Sequence, residues 1–210
     1  MDGPGESSAA RLMAVPGMQR VPSPQLELFI LRGFLDRPEC AALIALIEAG
    51  RRPSTIADDN GDYAFRTSET CDLDIVLPPV AALDAKLAEL SGIDPAYGEP
   101  LQGQRYAAGQ EFKPHTDYFD PHGRDYARFC SVAGQRTWTF MIYLDTPAAG
   151  GATRFKAIGK TVQPEPGKLL GWNNRLADGS VNPASLHHGM KVRAGVKHVI
   201  TRWYRERPWG

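Results

Sequence analysis

The chain has 210 residues, 42% of them apolar, which suits one domain with a real core. Its 24 Lys and Arg balance 24 Asp and Glu, so neither the basic footprint of a nucleic-acid binder nor an acidic tail is present. Three widely spaced cysteines (Cys40, Cys71 and Cys130), no apolar run of membrane-span length and no signal-like apolar stretch near the start lead us to expect a soluble, cytoplasmic protein without a disulfide scaffold or membrane partner.

Residues 1–25 are rich in Gly, Ser and Pro without a sustained period and read as a flexible N-terminal tail, leaving 26–210 as the domain. Leu26 to Leu31 reads as a strand. Asp36-Arg37-Pro38-Glu39 has the chemistry of a helix start: an N-cap oxygen, a proline in the first turn and an acid placed to favour the dipole. Apolar residues at helical spacing (Ala41, Leu43, Ile44, Ile47) carry that helix to Gly50. A loop follows, with a turn signal at Asp59-Asn60-Gly61, and then a second helix over about Pro79 to Leu90, with Val80, Leu83, Leu87 and Leu90 on one face. From Glu99 onward the texture changes. Short segments of strand character alternate with Gly/Pro turns near 101–106, 112–115, 137–144, 153–155, 169–172, 185–188 and 197–204. Helices followed by such a series predict a mainly β fold with flanking helices, a double-stranded β-helix of the cupin-like, jelly-roll kind.

His115 and Asp117 are two residues apart in an extended segment, so both side chains can reach one ion while Thr116 points away. A second histidine far along the chain would complete two imidazoles and a carboxylate, the set that occupies one face of Fe(II) and leaves the other positions open. The adjacent His187 and His188 face opposite sides of a strand, and the residues alone do not choose between them.

Lys197 follows His187 by ten positions and alternates with Val199, Thr201 and Trp203 on one strand face. A lysine among inward apolar neighbours needs an anion, and the distal carboxylate of 2-oxoglutarate would serve. The competing reading is a rim lysine paired with an acid. Tyr106 and Tyr143 can offer hydroxyls to the same carboxylate, Thr153 enters a strand after the Gly150-Gly151 turn, and Tyr118, Phe119 and Trp172 can shape a mouth.

Together, Arg105-Tyr106-Ala107-Ala108-Gly109, Pro114-His115-Thr116-Asp117, Tyr143-Leu144-Asp145, Gly150-Gly151-Ala152-Thr153, Ser185-Leu186-His187-His188-Gly189 and Gly195-Val196-Lys197 resemble the prolyl 4-hydroxylase-like branch of the 2-oxoglutarate/Fe(II) dioxygenases, over about Leu28 to Pro208. The resemblance selects His187 as the third ligand beside His115 and Asp117. It makes Lys197 the cosubstrate anchor and places Tyr106 in the same pocket, with Tyr143 and Thr153 as further cofactor-binding candidates. It implies Fe(II), 2-oxoglutarate and O2, with ascorbate as a further cofactor candidate, and a hydroxylase acting on a prolyl residue of a peptide or protein, or on a free amino acid or other small molecule. Arg66, in a segment that resembles the family's loop over the active site, is a substrate-contact candidate with Tyr118 and Trp172. Its alternative partners are Asp58, Asp59 and Asp62. Lys191, Ala152 and His198 depart from the family's usual Pro, Glu and aromatic residue at the corresponding places, which weakens any transfer of substrate identity.

Overall fold

A computed structural model describes residues 7–54, 65–124 and 126–210; the predicted turn at Asp59-Asn60-Gly61 lies outside them. In chain order they form α1 (Ser8–Ala14), β1 (Gln19–Arg20), β2 (Leu28–Leu31), α2 (Arg37–Gly50), β3 (Arg52–Pro53), β4 (Glu69–Asp72), α3 (Pro78–Ser91), β5 (Gln102–Tyr106), β6 (Phe112–His115) and α4 (Tyr126–Cys130). The second half adds β7 (Arg136–Tyr143), β8 (Ala149–Gly150), β9 (Thr153–Phe155), β10 (Lys160–Val162), β11 (Leu169–Asn173), β12 (His187–Gly189), β13 (Val192–Ala194) and β14 (Lys197–Arg205).

A major sheet runs β1-β2-β11-β7-β14-β5-β4-β3, a minor sheet runs β10-β9-β12-β6, and β13 pairs with β8. This is the expected double-stranded β-helix with flanking helices. Alternation along the central strands explains why the fold has two cores. On β7, Trp138, Phe140 and Ile142 face one way and join Leu43, Ile47, Leu83 and Leu87 of α2 and α3. The intervening Met141 and Tyr143, with Tyr106 and Val199, face the minor sheet and meet Phe155 and Val162. The second, narrower space holds the polar residues of interest.

The helix start predicted at Asp36 is a capping box: the Asp36 carboxylate accepts from the Glu39 N–H at 2.8 Å, and the Glu39 carboxylate accepts from the Asp36 N–H at 2.9 Å. The predicted tail needs correction over residues 7–25. α1 lies on α3, with Leu12 fully buried, Ser8 Oγ donating to the Ser91 carbonyl at 2.8 Å and Arg11 donating to the Glu89 carbonyl at 2.9 Å. β1 pairs antiparallel with β2. A seven-residue helix with a single buried leucine has little periodic signal of its own; its stability comes from the surface it covers.

Candidate active site

The minor sheet brings the two histidines together by register. β12 pairs antiparallel with β6, and His187 sits directly opposite His115. Their rings are 4.3 Å apart between centroids. Asp117 lies just past the end of β6, in a bend rather than on the strand, yet its side chain still turns to the same place. One ligand atom from each of His115, Asp117 and His187 lies within 4.8 Å of the other two.

The backbone sets which atoms face the centre. Nδ1 of His115 lies 2.8 Å from the Lys113 carbonyl, and Nδ1 of His187 lies 3.0 Å from the Ser185 carbonyl. A carbonyl only accepts, so Nδ1 carries the proton in both rings and Nε2 presents its lone pair. Asp117 Oδ1 lies 3.9 Å from His115 Nε2, while Oδ2 accepts a hydrogen bond from Thr139 Oγ1 at 2.8 Å. Burial, and the neighbouring His187, push the His115 pKa well below its ordinary value, which favours the neutral imidazole that a metal requires. Phe112 stacks on His115, and Trp172 meets His187 edge-on at 4.8 Å. Two imidazoles and a carboxylate converging in this way, with no thiolate, fit a divalent iron with open positions.

One pocket joins this group to Lys197. Its walls include Gln104, Tyr106, Met141, Thr153, Trp172 and Trp203, with the three candidate ligands and Lys197. Lys197 stands opposite Tyr106 in the β14–β5 register. Lys197 is 2% exposed, and its ammonium donates to the Gly151 carbonyl at 3.1 Å and sits 4.3 Å from the centre of the Tyr106 ring. Among the described residues no carboxylate forms an ion pair with it. An ammonium has three donors, and the Gly151 carbonyl takes one of them. Burial lowers the Lys197 pKa to about 8. Gly151 adopts φ +75°, and a Cβ there would meet Pro147 and the Lys197 stem, so the glycine is needed both for the turn and for the close approach of the lysine.

The other expected residues are placed as follows. The Tyr106 hydroxyl donates to Gln104 Oε1 at 2.7 Å, so it is the ring that faces Lys197. Tyr143 lies behind the wall: its hydroxyl donates to Thr153 Oγ1 at 2.6 Å and lies 3.3 Å from the Val162 carbonyl, while Thr153 itself lines the pocket. Arg66 bonds Ser68, Thr70 and Gln102 and covers the Phe112 ring at 4.9 Å; its alternative partners Asp58, Asp59 and Asp62 lie outside the described residues. Tyr118 is half-buried next to Asp117 and does not line the pocket. Trp172 lines it, with a buried indole N–H that has no partner among the described residues. Trp203 does the same and carries no assignment from sequence; its position on the Lys197 face of β14 is the signal that could have found it. His188 faces away onto Glu111 at 2.9 Å, and His198 is held between Asp145 and Glu48. Neither reaches the centre.

A family model described as the 2OG-Fe(II) oxygenase superfamily matches residues 101–205. Rat prolyl 4-hydroxylase subunit alpha-1 is 32% identical over 130 residues, 62% of this chain and 24% of the relative. The chain therefore spans about a quarter of the length of that protein. Prolyl 4-hydroxylase 13 of Arabidopsis thaliana is 28% identical over 202 residues, 87% of this chain and 72% of the relative. A solved viral collagen prolyl hydroxylase from Paramecium bursaria Chlorella virus-1, in its 2OG complex, superposes with a TM-score of 0.67 at 26% identity, covering 85% of this chain and 95% of that one. With the matched region holding the His-Asp-His group and Lys197, the chain belongs to the 2OG-Fe(II) oxygenase superfamily, as a prolyl 4-hydroxylase-like member.

Proposed function

We propose that this chain is a 2-oxoglutarate- and Fe(II)-dependent dioxygenase that hydroxylates a prolyl residue of a peptide or protein and releases succinate and CO2. The observation that carries this reading is the pairing, within one pocket, of a three-ligand facial group and a buried ammonium with no counter-ion among the described residues. A cation held in this way is costly unless an anion joins it, and a dicarboxylate long enough to span from ion to lysine supplies one.

His115 and His187 would hold the iron through Nε2 and Asp117 through Oδ1. The bound iron, with O2 and 2-oxoglutarate, supplies the oxidising power for the C–H bond; the protein supplies orientation and a dry site. Lys197 takes the distal carboxylate. Thr153 adds a hydroxyl that Tyr143 has already oriented, and the Tyr106 ring closes the floor beside the ammonium. Trp172 and Trp203 stand at the metal end with N–H groups unpaired among the described residues, placed to meet a substrate carbonyl or carboxylate. Arg66 and Tyr118 lie one layer out; we assign Arg66 to holding the wall formed by Gln102 and Phe112, from which it can reach a substrate entering over β6. A prolyl substrate is favoured over a free amino acid because several curated relatives, and the viral neighbour at 26% identity, are named for prolyl hydroxylation.

The test is succinate release with Fe(II) and 2-oxoglutarate, with and without ascorbate, across proline peptides, free proline and other amino acids, with mass analysis of the product. The expected result is a gain of one oxygen on a peptidyl proline. Oxygen insertion only into free amino acids would overturn the peptide assignment, and no 2-oxoglutarate turnover with any substrate would overturn the enzyme reading.

A further inference from the structure

Asp117 is held at more points than a ligand needs to reach an ion. Its Oδ2 accepts from Thr139 Oγ1 at 2.8 Å, and Thr139 Oγ1 accepts from Asn174 Nδ2 at 2.9 Å. The direction of this chain of bonds is forced. A ligating carboxylate only accepts, so the Thr139 proton must point to it. The Thr139 oxygen is then left with lone pairs alone, which requires the amide nitrogen of Asn174, not its oxygen, on that side. Thr139 is fully buried in the middle of β7, and Asn174, also fully buried, lies just past the end of β11. Asn174 is fixed in turn by its backbone, whose N–H donates to the Thr137 carbonyl at 2.7 Å and whose carbonyl accepts from the Asn182 N–H at 2.8 Å. Neither Thr139 nor Asn174 lines the pocket.

We infer that Thr139 and Asn174 are positioning residues that occupy Oδ2 of Asp117 and so present the carboxylate to the ion through Oδ1 alone. The inference rests on the metal site proposed above. A carboxylate free to rotate can chelate through both oxygens, which would take up a coordination position that the reaction needs open. The relay prevents this from the side away from the ion. It also spans β7 and the segment following β11, so the geometry of the ligand is tied to the major sheet although Asp117 itself follows a strand of the minor sheet.

Thr139→Val keeps the shape of the side chain and deletes the hydroxyl. Mn(II) binding to the full chain, counted anaerobically by the loss of the free-ion paramagnetic resonance signal, separates the alternatives. Thr139→Val is expected to weaken Mn(II) by about 10- to 100-fold, Asn174→Ala to weaken it in the same direction by less, and Thr139→Ser to return it to near the wild-type value. Raising Fe(II) should restore turnover in Thr139→Val while the 2-oxoglutarate KM at saturating metal stays at the wild-type value. Wild-type Mn(II) affinity in Thr139→Val, alongside its loss in Asp117→Ala, would overturn the relay and leave the metal site standing. Absence of Mn(II) binding in the wild type would overturn both. Should Thr139→Val fail to fold, the Asn174→Ala titration decides by the same criterion.

Discussion

Lys197 and His198 are neighbours on β14, both buried, and they live in opposite electrostatic worlds. Lys197 faces the space between the sheets, with the Gly151 carbonyl and the Tyr106 ring beside its ammonium and no carboxylate paired with it among the described residues. His198 faces the helices and is gripped on both sides, by Asp145 at Nδ1 (2.5 Å) and by Glu48 at Nε2 (2.8 Å), while Asp145 also accepts from the His198 backbone N–H at 2.8 Å. Glu48 in turn holds Arg105 and Arg51. One face of the strand therefore completes its charges from within the protein and the other leaves a charge waiting. A group whose partners are all supplied by the fold contributes to stability; a group left unpaired at a cost points to a ligand. The same contrast separates His188, paired with Glu111, from His187, whose Nε2 looks into the pocket.

Substitutions on the two faces should therefore have opposite signatures. The largest effect is expected for His115→Ala or Asp117→Ala, which should abolish turnover and Mn(II) binding while leaving the melting temperature near that of the metal-free wild type. Retention of 2-oxoglutarate turnover in both would sink the assignment of the ligands. Lys197→Ala should raise the 2-oxoglutarate KM by about 10- to 100-fold, the range for one charge-assisted contact, with kcat at saturation less affected. Lys197→Met should also raise the melting temperature, by the equivalent of about 1 kcal/mol, since it removes an uncompensated charge at similar volume. A fall in melting temperature would show that the ammonium is structural. Across the strand, His198→Ala should leave the 2-oxoglutarate KM in place and cost about 1–3 kcal/mol, read by denaturant titration, because two carboxylates lose their shared donor.

Much of this contrast was legible before the structure. The alternation of β14 put Lys197, Val199, Thr201 and Trp203 on one face, and the paired spacing of His115 and Asp117 put them at one site; both are local, period-two arguments. The choice of His187 over His188 was not legible from spacing, because adjacent residues on a strand differ only in which face is inward. The deciding fact is a cross-strand register, His187 opposite His115, fixed by residues far apart in the chain. Resemblance reached the same residue by another route. Strand parity also described Asp117 imperfectly: it has left β6, and the bend and Thr139 aim it. β4 carries no strand signal in the sequence because Glu69-Thr70-Cys71-Asp72 has charge at both ends and no apolar run, although its register with β5 brings Glu69 to Arg105. α1 carries no helical signal in the sequence because one buried leucine makes no pattern.

The smallest expected effect is also the one that sets the two faces against each other in a single measurement, the dependence of stability on pH. For His198, burial works against the charged form, but the Asp145 and Glu48 carboxylates outweigh it and raise the pKa above the ordinary histidine value. A raised folded pKa means that the folded state binds more protons between the unfolded value, about 6.5, and the folded one. The stability from this group is thus fully present below about pH 6.5 and is lost as the pH rises through the folded pKa. For Lys197, burial lowers the pKa to about 8, whereas the unfolded lysine titrates near about 10.4. Between those values the unfolded chain binds more protons, so this group makes stability rise with pH. The two neighbours tilt the curve in opposite directions. His198→Gln should flatten the fall above neutrality, and Lys197→Met should remove the rise between about pH 8 and 10. The same lysine should make 2-oxoglutarate affinity of the wild type decline as the pH passes about 8, since only the ammonium pairs with the carboxylate. Melting curves of the two variants that match the wild type in shape across this range would mean that the two faces of β14 do not differ in the way their partners indicate.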